Sequence, residues 1–311
     1  MKPLRHILTL SDLTAEELKT ILETAEKIKA DFKAGSRPKL LEGKVLGLIF
    51  EKMSLRTRVS FEAGMTHLGG GSMLLEEQHI GLGKRESIKD VSHVLSSMVD
   101  CIAFRAKSHK TVEEFASYSS VPVINALTDK SHPCQALADM LTIKEEFGSF
   151  DDVKIAWVGD SNNVAASFIE AAAMLGVPFV VSSPEGYAFS KEEIDALTVR
   201  RQPGFSLSFV SDPKAAVRDC NVVCTDVWVS MGQESENEER VKAFSQYQVN
   251  ADLMRAARED AIFMHCLPAR RGLEVTDEVI DSTQSRIVEE AANRMHAQKG
   301  LLVWLLQDDA Q

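Results

Sequence analysis

Apolar residues along this chain fall into two alternating kinds of run. Short continuous blocks such as Val45-Leu46-Gly47-Leu48-Ile49-Phe50 are separated by longer stretches in which apolar positions recur every three or four residues. The first periodic stretch places Leu18, Ile21, Leu22, Ala25 and Ile28 on one stripe. Thr14 and Glu17 precede it in a capping-box pattern, so a helix is predicted there. Strands are predicted at 44–50, 72–75, 100–105 and 121–125, with helices near 57–68, 87–97 and 111–119 between them. Short strands alternating with helices imply a parallel α/β sheet.

The pattern then repeats. A helix over 135–147 ends at Gly148, with Pro133 near its start, where proline is tolerated. The polar tract Gly148-Ser149-Phe150-Asp151-Asp152 marks a domain boundary. A second α/β unit opens at Val153, with a helix at 163–175 and strands at 178–182, 206–210, 221–225 and 261–264. The last helix, about 287–306, is strongly apolar toward its end (Leu301, Leu302, Trp304, Leu305), as expected of a helix that packs back on the first domain. The predicted fold is therefore α/β: two similar-sized domains, each a parallel sheet flanked by helices, one of residues 1–147 plus 288–311 and one of 148–287. The sequence has no solenoid repeat and no low-complexity segment.

Composition narrows the function. The chain has 311 residues and a formal net charge of −11, which argues against nucleic acid or an anionic membrane as partner. An anionic ligand must then be drawn in by local arginines. No apolar stretch is long enough to span a bilayer, and no secretory signal is evident. The five cysteines are odd in number and scattered, so a reducing cytoplasm is expected and most of them are read as small core residues.

Candidate chemistry gathers at the predicted strand ends. Ser54-Leu55-Arg56-Thr57-Arg58 lies between a strand and a helix. The first N–H groups of a helix are unpaired and partly positive, and arginine forks bind tetrahedral oxyanions, so this turn reads as a phosphate site. A lone arginine is usually just solvated; two around Thr57, with Ser54 ahead, shift the balance. Arg105 ends another strand, and ligands of open α/β sheets collect beyond such ends. His132 and Gln135, in the turn before a helix, are suited to hydrogen-bond a carbonyl oxygen.

In the second half, Gly159-Asp160-Ser161-Asn162-Asn163 looks like a dinucleotide fingerprint, but Ser161 and Val164 stand where its later glycines belong; nicotinamide binding is rejected. Asn163 can instead pair with a carboxylate. Asp226 and Ser230, in Asp226-Val227-Trp228-Val229-Ser230-Met231-Gly232, can hold an ammonium group. The acidic residues that follow (Glu234, Glu236, Glu238, Glu239) are expected to form a solvated loop hinged at Gly232. The Cys266 thiol, at a strand end, can take part in proton handling with an aspartate. Neither His265-Cys266 nor His132-Cys134 forms a usual chelating pair, so no metal is expected.

Taken in order, Ser-x-Arg-Thr-Arg, His-Pro-x-Gln, Asp226…Ser230-Met231-Gly232 and His265-Cys266-Leu267-Pro268 resemble the aspartate/ornithine carbamoyltransferase family, the last two motifs its ornithine branch. The resemblance runs from Ser54 to Arg294. It implies two α/β domains facing across a cleft, and a trimer in which a neighbour's loop completes each site. It implies that Ser54, Arg56, Thr57, Arg105, His132 and Gln135 bind carbamoyl phosphate, with Cys266 and Leu267 near the reacting amine and Arg294 near the carbamoyl group. Asn163, Asp226, Ser230 and Met231 would hold the amino acid. Arg105, His132, Cys266 and Asp226 would be catalytic, without metal or cofactor. The substrates implied are carbamoyl phosphate and L-ornithine. Putrescine or an N-acylated ornithine is the nearest alternative acceptor, and a non-catalytic amino-acid or phosphate sensor the alternative of another class. The chain departs from the family at Leu55, where Thr is common, and at Gly81 in the 78–86 loop, where Gln or His commonly makes the cross-subunit phosphate contact.

Overall fold

The computed structural model describes residues 3–76, 80–229 and 236–307. It divides into two compact units, one of residues 1–141 and 292–311, the other of residues 142–291.

In the first unit, α1 (Ala15–Lys33) starts at the capping box read from sequence: Thr14 Oγ1 accepts from the Glu17 amide and Glu17 Oε2 from the Thr14 amide. Its predicted stripe is wholly buried. Strands β1 (Val45–Phe50), β2 (Gly71–Glu76), β3 (Cys101–Arg105) and β4 (Val123–Leu127) form a parallel sheet in the order β2-β1-β3-β4. Helices α2 (Leu55–His67), α3 (Ile88–Ser96) and α4 (His109–Tyr118) connect them, and α5 (Pro133–Phe147) follows β4. The last strand begins two residues later than its apolar run suggests. Pro122 has no N–H to give the ladder, so regular pairing starts at Val123.

In the second unit, β5 (Ile155–Val158), β6 (Phe179–Ser182), β7 (Leu207–Phe209), β8 (Val222–Thr225) and β9 (Ile262–His265) form a parallel sheet ordered β7-β6-β5-β8-β9. Helices α6 (Asn163–Leu175), α7 (Lys191–Leu197), α8 (Pro213–Val217), α9 (Asn237–Phe244), α10 (Ala251–Met254) and α11 (Asp277–Ile280) accompany it. Except for the partly exposed edge strands β2 and β7, the strands of both sheets are buried along nearly their whole length, which is why they read as continuous apolar blocks.

The final helix, α12 (Ile287–Leu306), continues into the first unit. There Gly300 lies against α1 so closely that an added Cβ would sit 2.6 Å from the Ile21 carbonyl oxygen. Lys29 of α1 donates to Asn293 Oδ1 at 2.6 Å across the same contact.

One sequence expectation is corrected. Glu236, Glu238 and Glu239 do not belong to an open loop: Glu236 occupies the N-cap position of α9, and Glu238 and Glu239 its first turn. Carboxylates there oppose the positive end of the helix, and Arg240 and Phe244, one turn apart, are its buried positions. Glu234, Gly232, Ser230 and Met231 lie outside the described residues, as do Gln78 and His79.

Candidate active site

Strand order places the site before any side chain is considered. In the first sheet the connections turn in opposite directions from β1 and β3, and in the second from β5 and β8. Crevices at such switch points, beyond the carboxyl ends of the strands, are where open α/β sheets bind ligands.

In the first unit Ser54 caps α2. Its hydroxyl accepts from the Thr57 amide at 3.4 Å and donates to Thr57 Oγ1 at 2.9 Å. Thr57 Oγ1 also accepts from Arg294 Nη2 at 2.7 Å, although the two residues are far apart in sequence. Having accepted twice, the buried Thr57 hydroxyl keeps one polar function, its own hydrogen, as a donor. Arg294 Nη1 lies 3.2 Å from His132 Nε2 and also donates to Gln135 Oε1. Since arginine only donates, His132 Nε2 is the acceptor and its ring proton resides on Nδ1. Burial holds His132 well below the usual histidine range, and Arg294, Arg105 and Arg56 push it further. The imidazole is therefore neutral at neutral pH and can donate from Nδ1.

Arg105 is buried at the end of β3, where the β3–β4 register shifts between Phe104 and Arg105. His132 is set by a loop that Asn125 ties down. Asn125 Nδ2 donates to the carbonyls of Leu8 and Ser131 and to Thr128 Oγ1. Arg56 is half-buried in the first turn of α2, but Arg58 points outward and pairs with Glu62 one turn on, at 3.2 Å. The expectation that both arginines serve the anion is thus corrected for Arg58. Alternate residues at a helix start face different sides.

In the second unit Asn162 caps α6 through Oδ1, which accepts from the Val164 and Ala165 amides. Its Nδ2 donates to Asp226 Oδ2 at 2.7 Å, joining the loop after β5 to the loop after β8 at the switch point. Gly159 permits this approach: its φ is +135°, and a Cβ there would lie 3.1 Å from Thr225 Oγ1. Cys266 Sγ donates to Asp226 Oδ1 at 3.2 Å. Both Asp226 oxygens are therefore oriented. Asn163 begins α6 immediately beside this pair.

His265 supports Cys266 from behind. Its Nδ1 accepts from the Leu267 amide at 2.9 Å, which puts the ring proton on Nε2, 3.3 Å from Glu274 Oε1. Its own amide donates to Glu290 Oε2 at 2.8 Å. Leu267 has φ +58°, a left-handed conformation that leucine rarely adopts. Asp226, His265 and Cys266 present ligand-type atoms within 4.8 Å of one another. Each already has a protein hydrogen-bond partner, which suits proton handling.

The sequence reading brought Ser54, Arg56, Thr57, Arg105, His132, Gln135 and Arg294 into one unit, and Asn163, Asp226, Cys266 and Leu267 into the other; the structure distributes them in that way. It missed Asn162 and Asp139. Asp139 Oδ1 accepts from Gln135 Nε2 at 2.8 Å, so the Gln135 amide spans Asp139 and Arg294 and acts to orient Arg294. The four-residue spacing of Gln135 and Asp139 on a helix was the available signal.

Residues 5–145 match the carbamoyl-phosphate-binding domain model of the aspartate/ornithine carbamoyltransferases, and residues 151–305 match their aspartate/ornithine-binding domain model. This chain belongs to the aspartate/ornithine carbamoyltransferase family. It is 52% identical to an ornithine carbamoyltransferase of Pyrococcus horikoshii, covering 97% of this chain and 96% of that one. It is 50% identical to that of Caldicellulosiruptor saccharolyticus, covering 97% and 98%. Among solved structures, ornithine carbamoyltransferase from Pyrococcus furiosus superposes with a TM-score of 0.94 at 50% identity, covering 98% of each chain. The anabolic enzyme from Campylobacter jejuni gives 0.91 at 39% identity, covering 97% of this chain and 99% of that one.

Proposed function

We propose that this chain is an ornithine carbamoyltransferase, moving the carbamoyl group of carbamoyl phosphate to the δ-amine of L-ornithine to give L-citrulline and phosphate. The observation that carries the reading is that the chain holds a donor-rich cluster in one unit (Thr57, His132, Arg294) and a carboxylate-centred cluster in the other (Asp226, Asn162, Cys266). An anion with a developing oxyanion needs the first, and an amino acid bearing cations needs the second.

In the reaction a neutral δ-amine attacks the carbamoyl carbon and phosphate departs. Arg105, His132 Nδ1 and the Thr57 hydroxyl stabilise charge on the carbonyl oxygen. Arg56 and the first-turn amides of α2, beside Ser54, take the phosphate. Gln135 holds Arg294, which in turn orders Thr57 and His132. Asn163, Asp226, Ser230 and Met231 hold the amino acid, its α-carboxylate near Asn163 and its α-amine near Asp226. Cys266 and the Leu267 backbone border the reacting amine. A free δ-amine has a pKa like that of lysine, about 10.4, so the site selects its minor neutral form. No metal or organic cofactor enters this scheme, because the leaving group is already activated.

We further propose a homotrimer with shared active sites, in the cytoplasm. Met53, Leu55 and Val59 are 95%, 76% and 53% exposed around the half-buried Arg56, an apolar edge suited to a neighbouring subunit. All five cysteines are free, which suits a reducing compartment. The test is a citrulline assay with carbamoyl phosphate and a panel of ornithine, putrescine and N-acetylornithine, with mass measured in solution. Citrulline from ornithine at trimer mass is expected. Preferential turnover of either other amine would overturn the assignment.

A further inference from the structure

His109 opens α4, and only 4% of it is exposed. It stands four residues after Arg105, and its ring meets Thr128, four residues before His132. The Asn125 Nδ2 group and the Ser131 amide both donate to Thr128 Oγ1, at 3.2 and 3.3 Å. A hydroxyl accepts two hydrogens and gives one, so the Thr128 hydrogen must point elsewhere. Two acceptors are near it: His109 Nδ1 at 2.8 Å and the Ser131 carbonyl at 3.4 Å. The nearer one takes the stronger bond. The ring proton of His109 then sits on Nε2, on the side of Glu113 Oε1, 3.6 Å away. Burial holds His109 below the usual histidine range, with Lys130 adding to the fall and Glu113, Asp129 and Asp12 opposing it. Nδ1 therefore keeps its lone pair at neutral pH.

We propose that His109 is a positioning residue for the groups that polarise the carbamoyl carbonyl: by accepting the Thr128 hydroxyl hydrogen, it ties the segment that follows Arg105 to the loop that delivers His132.

The inference rests on the proposed reaction and gives it a residue that touches no substrate. Two observations favour positioning over mere stabilisation. First, other bonds already join these segments. The Ala106 amide donates to the Leu127 carbonyl at 3.1 Å, the Asp129 amide to the Lys107 carbonyl at 3.3 Å, and the His109 amide to Asp129 Oδ1 at 2.7 Å. What the imidazole adds is the direction of one buried hydroxyl. Second, that direction acts on the peptide next to His132. Without an acceptor at Nδ1 the hydroxyl turns toward the Ser131 carbonyl, which already accepts from the Thr128 amide at 3.0 Å and from Asn125 Nδ2 at 3.2 Å. A carbonyl oxygen has two lone pairs, so the Ser131–His132 peptide must shift to take a third donor.

The experiment compares the intact wild-type chain with His109→Asn, His109→Leu and Thr128→Val. Each substrate is varied separately at neutral pH, and thermal unfolding is recorded alongside. A misplacement of about 1 Å can cost about 10²-fold in rate, so His109→Leu and Thr128→Val are expected to lower kcat about 10- to 100-fold. Both KM values should stay within about threefold, because charge on the carbonyl oxygen develops only in the transition state. His109→Asn puts a carbonyl oxygen near the place of Nδ1 and should keep kcat within about threefold of wild type. Wild-type kcat in folded His109→Leu, a loss carried by either KM, or a His109→Asn as slow as His109→Leu overturns the proposal. Should His109→Leu not fold, Thr128→Val decides by the same readings; failure of both to fold assigns the pair to stability alone and also overturns it. Wild-type protein that makes no citrulline would sink the reaction itself, whereas active wild type with an indifferent His109→Leu sinks only this role.

Discussion

The two units use the same architecture for opposite electrostatic tasks. Both place their functional groups beyond the strand ends at a switch in sheet order. In the first, burial and the charges of Arg294, Arg105 and Arg56 keep His132 neutral, and Arg294 donates to both His132 and Thr57. In the second, carboxylates and a thiol are gathered, and one of the carboxylates, Asp160, is raised toward neutrality by burial and by its acidic neighbours. A net charge of −11 would repel an anion from the chain as a whole. The contrast shows that the local arrangement of groups, rather than overall charge, decides what each half can bind.

The largest expected effect comes from breaking the donor-rich half. Arg56→Ala should lower citrulline formation about 10³-fold while thermal unfolding is unchanged; near-normal turnover would remove the phosphate site from the account. In the carboxylate-rich half, Asp226→Asn should cost about 10²-fold, with most of the loss seen when ornithine is varied. An unaltered ornithine titration would refute its role.

A subtler contrast concerns acid. His132 and His296 titrate below the ordinary histidine range in the fold, His296 at about 3 through burial and the neighbouring Lys299 and Lys29. Such groups bind more protons when unfolded, so their contribution is complete above about pH 6.5 and is lost as pH falls. Asp160 has the opposite sign: its folded value is raised, so acidification through about pH 6 favours the folded state. Hydrogen exchange corrected for intrinsic rates should therefore show the first unit losing protection between about pH 7 and 5 relative to the second. Equal loss in both would argue against the pKa directions. The smallest effect is expected at Arg58. Its exposed pairing with Glu62 makes Arg58→Ala nearly silent, within about twofold in every kinetic constant.

Most of the fold was legible because the strands of both sheets, β2 and β7 apart, are buried and stand out as apolar blocks. The bounds of α6 and α12 coincide with the sequence reading. Helix α9 was not legible, because its acidic first turn resembles a solvated loop and its two buried positions, Arg240 and Phe244, do not form an apolar stripe. Site motifs were legible where chemistry concentrates several unusual residues in one turn, as at Ser54–Arg58. Residues that act through others were not. Asn162 reads as part of a failed fingerprint, and nothing around Asp139 in the sequence singles it out. Their partners come from distant strands, and sequence spacing says nothing of such contacts.

The central claim is that the arginine-rich half holds the carbamoyl phosphate site. Isothermal calorimetry of carbamoyl phosphate into wild type and Arg56→Ala, without ornithine, tests it most directly. The account predicts saturable binding to wild type that is abolished in the variant. Equal affinity in both, or no heat with wild type that still makes citrulline, would contradict it.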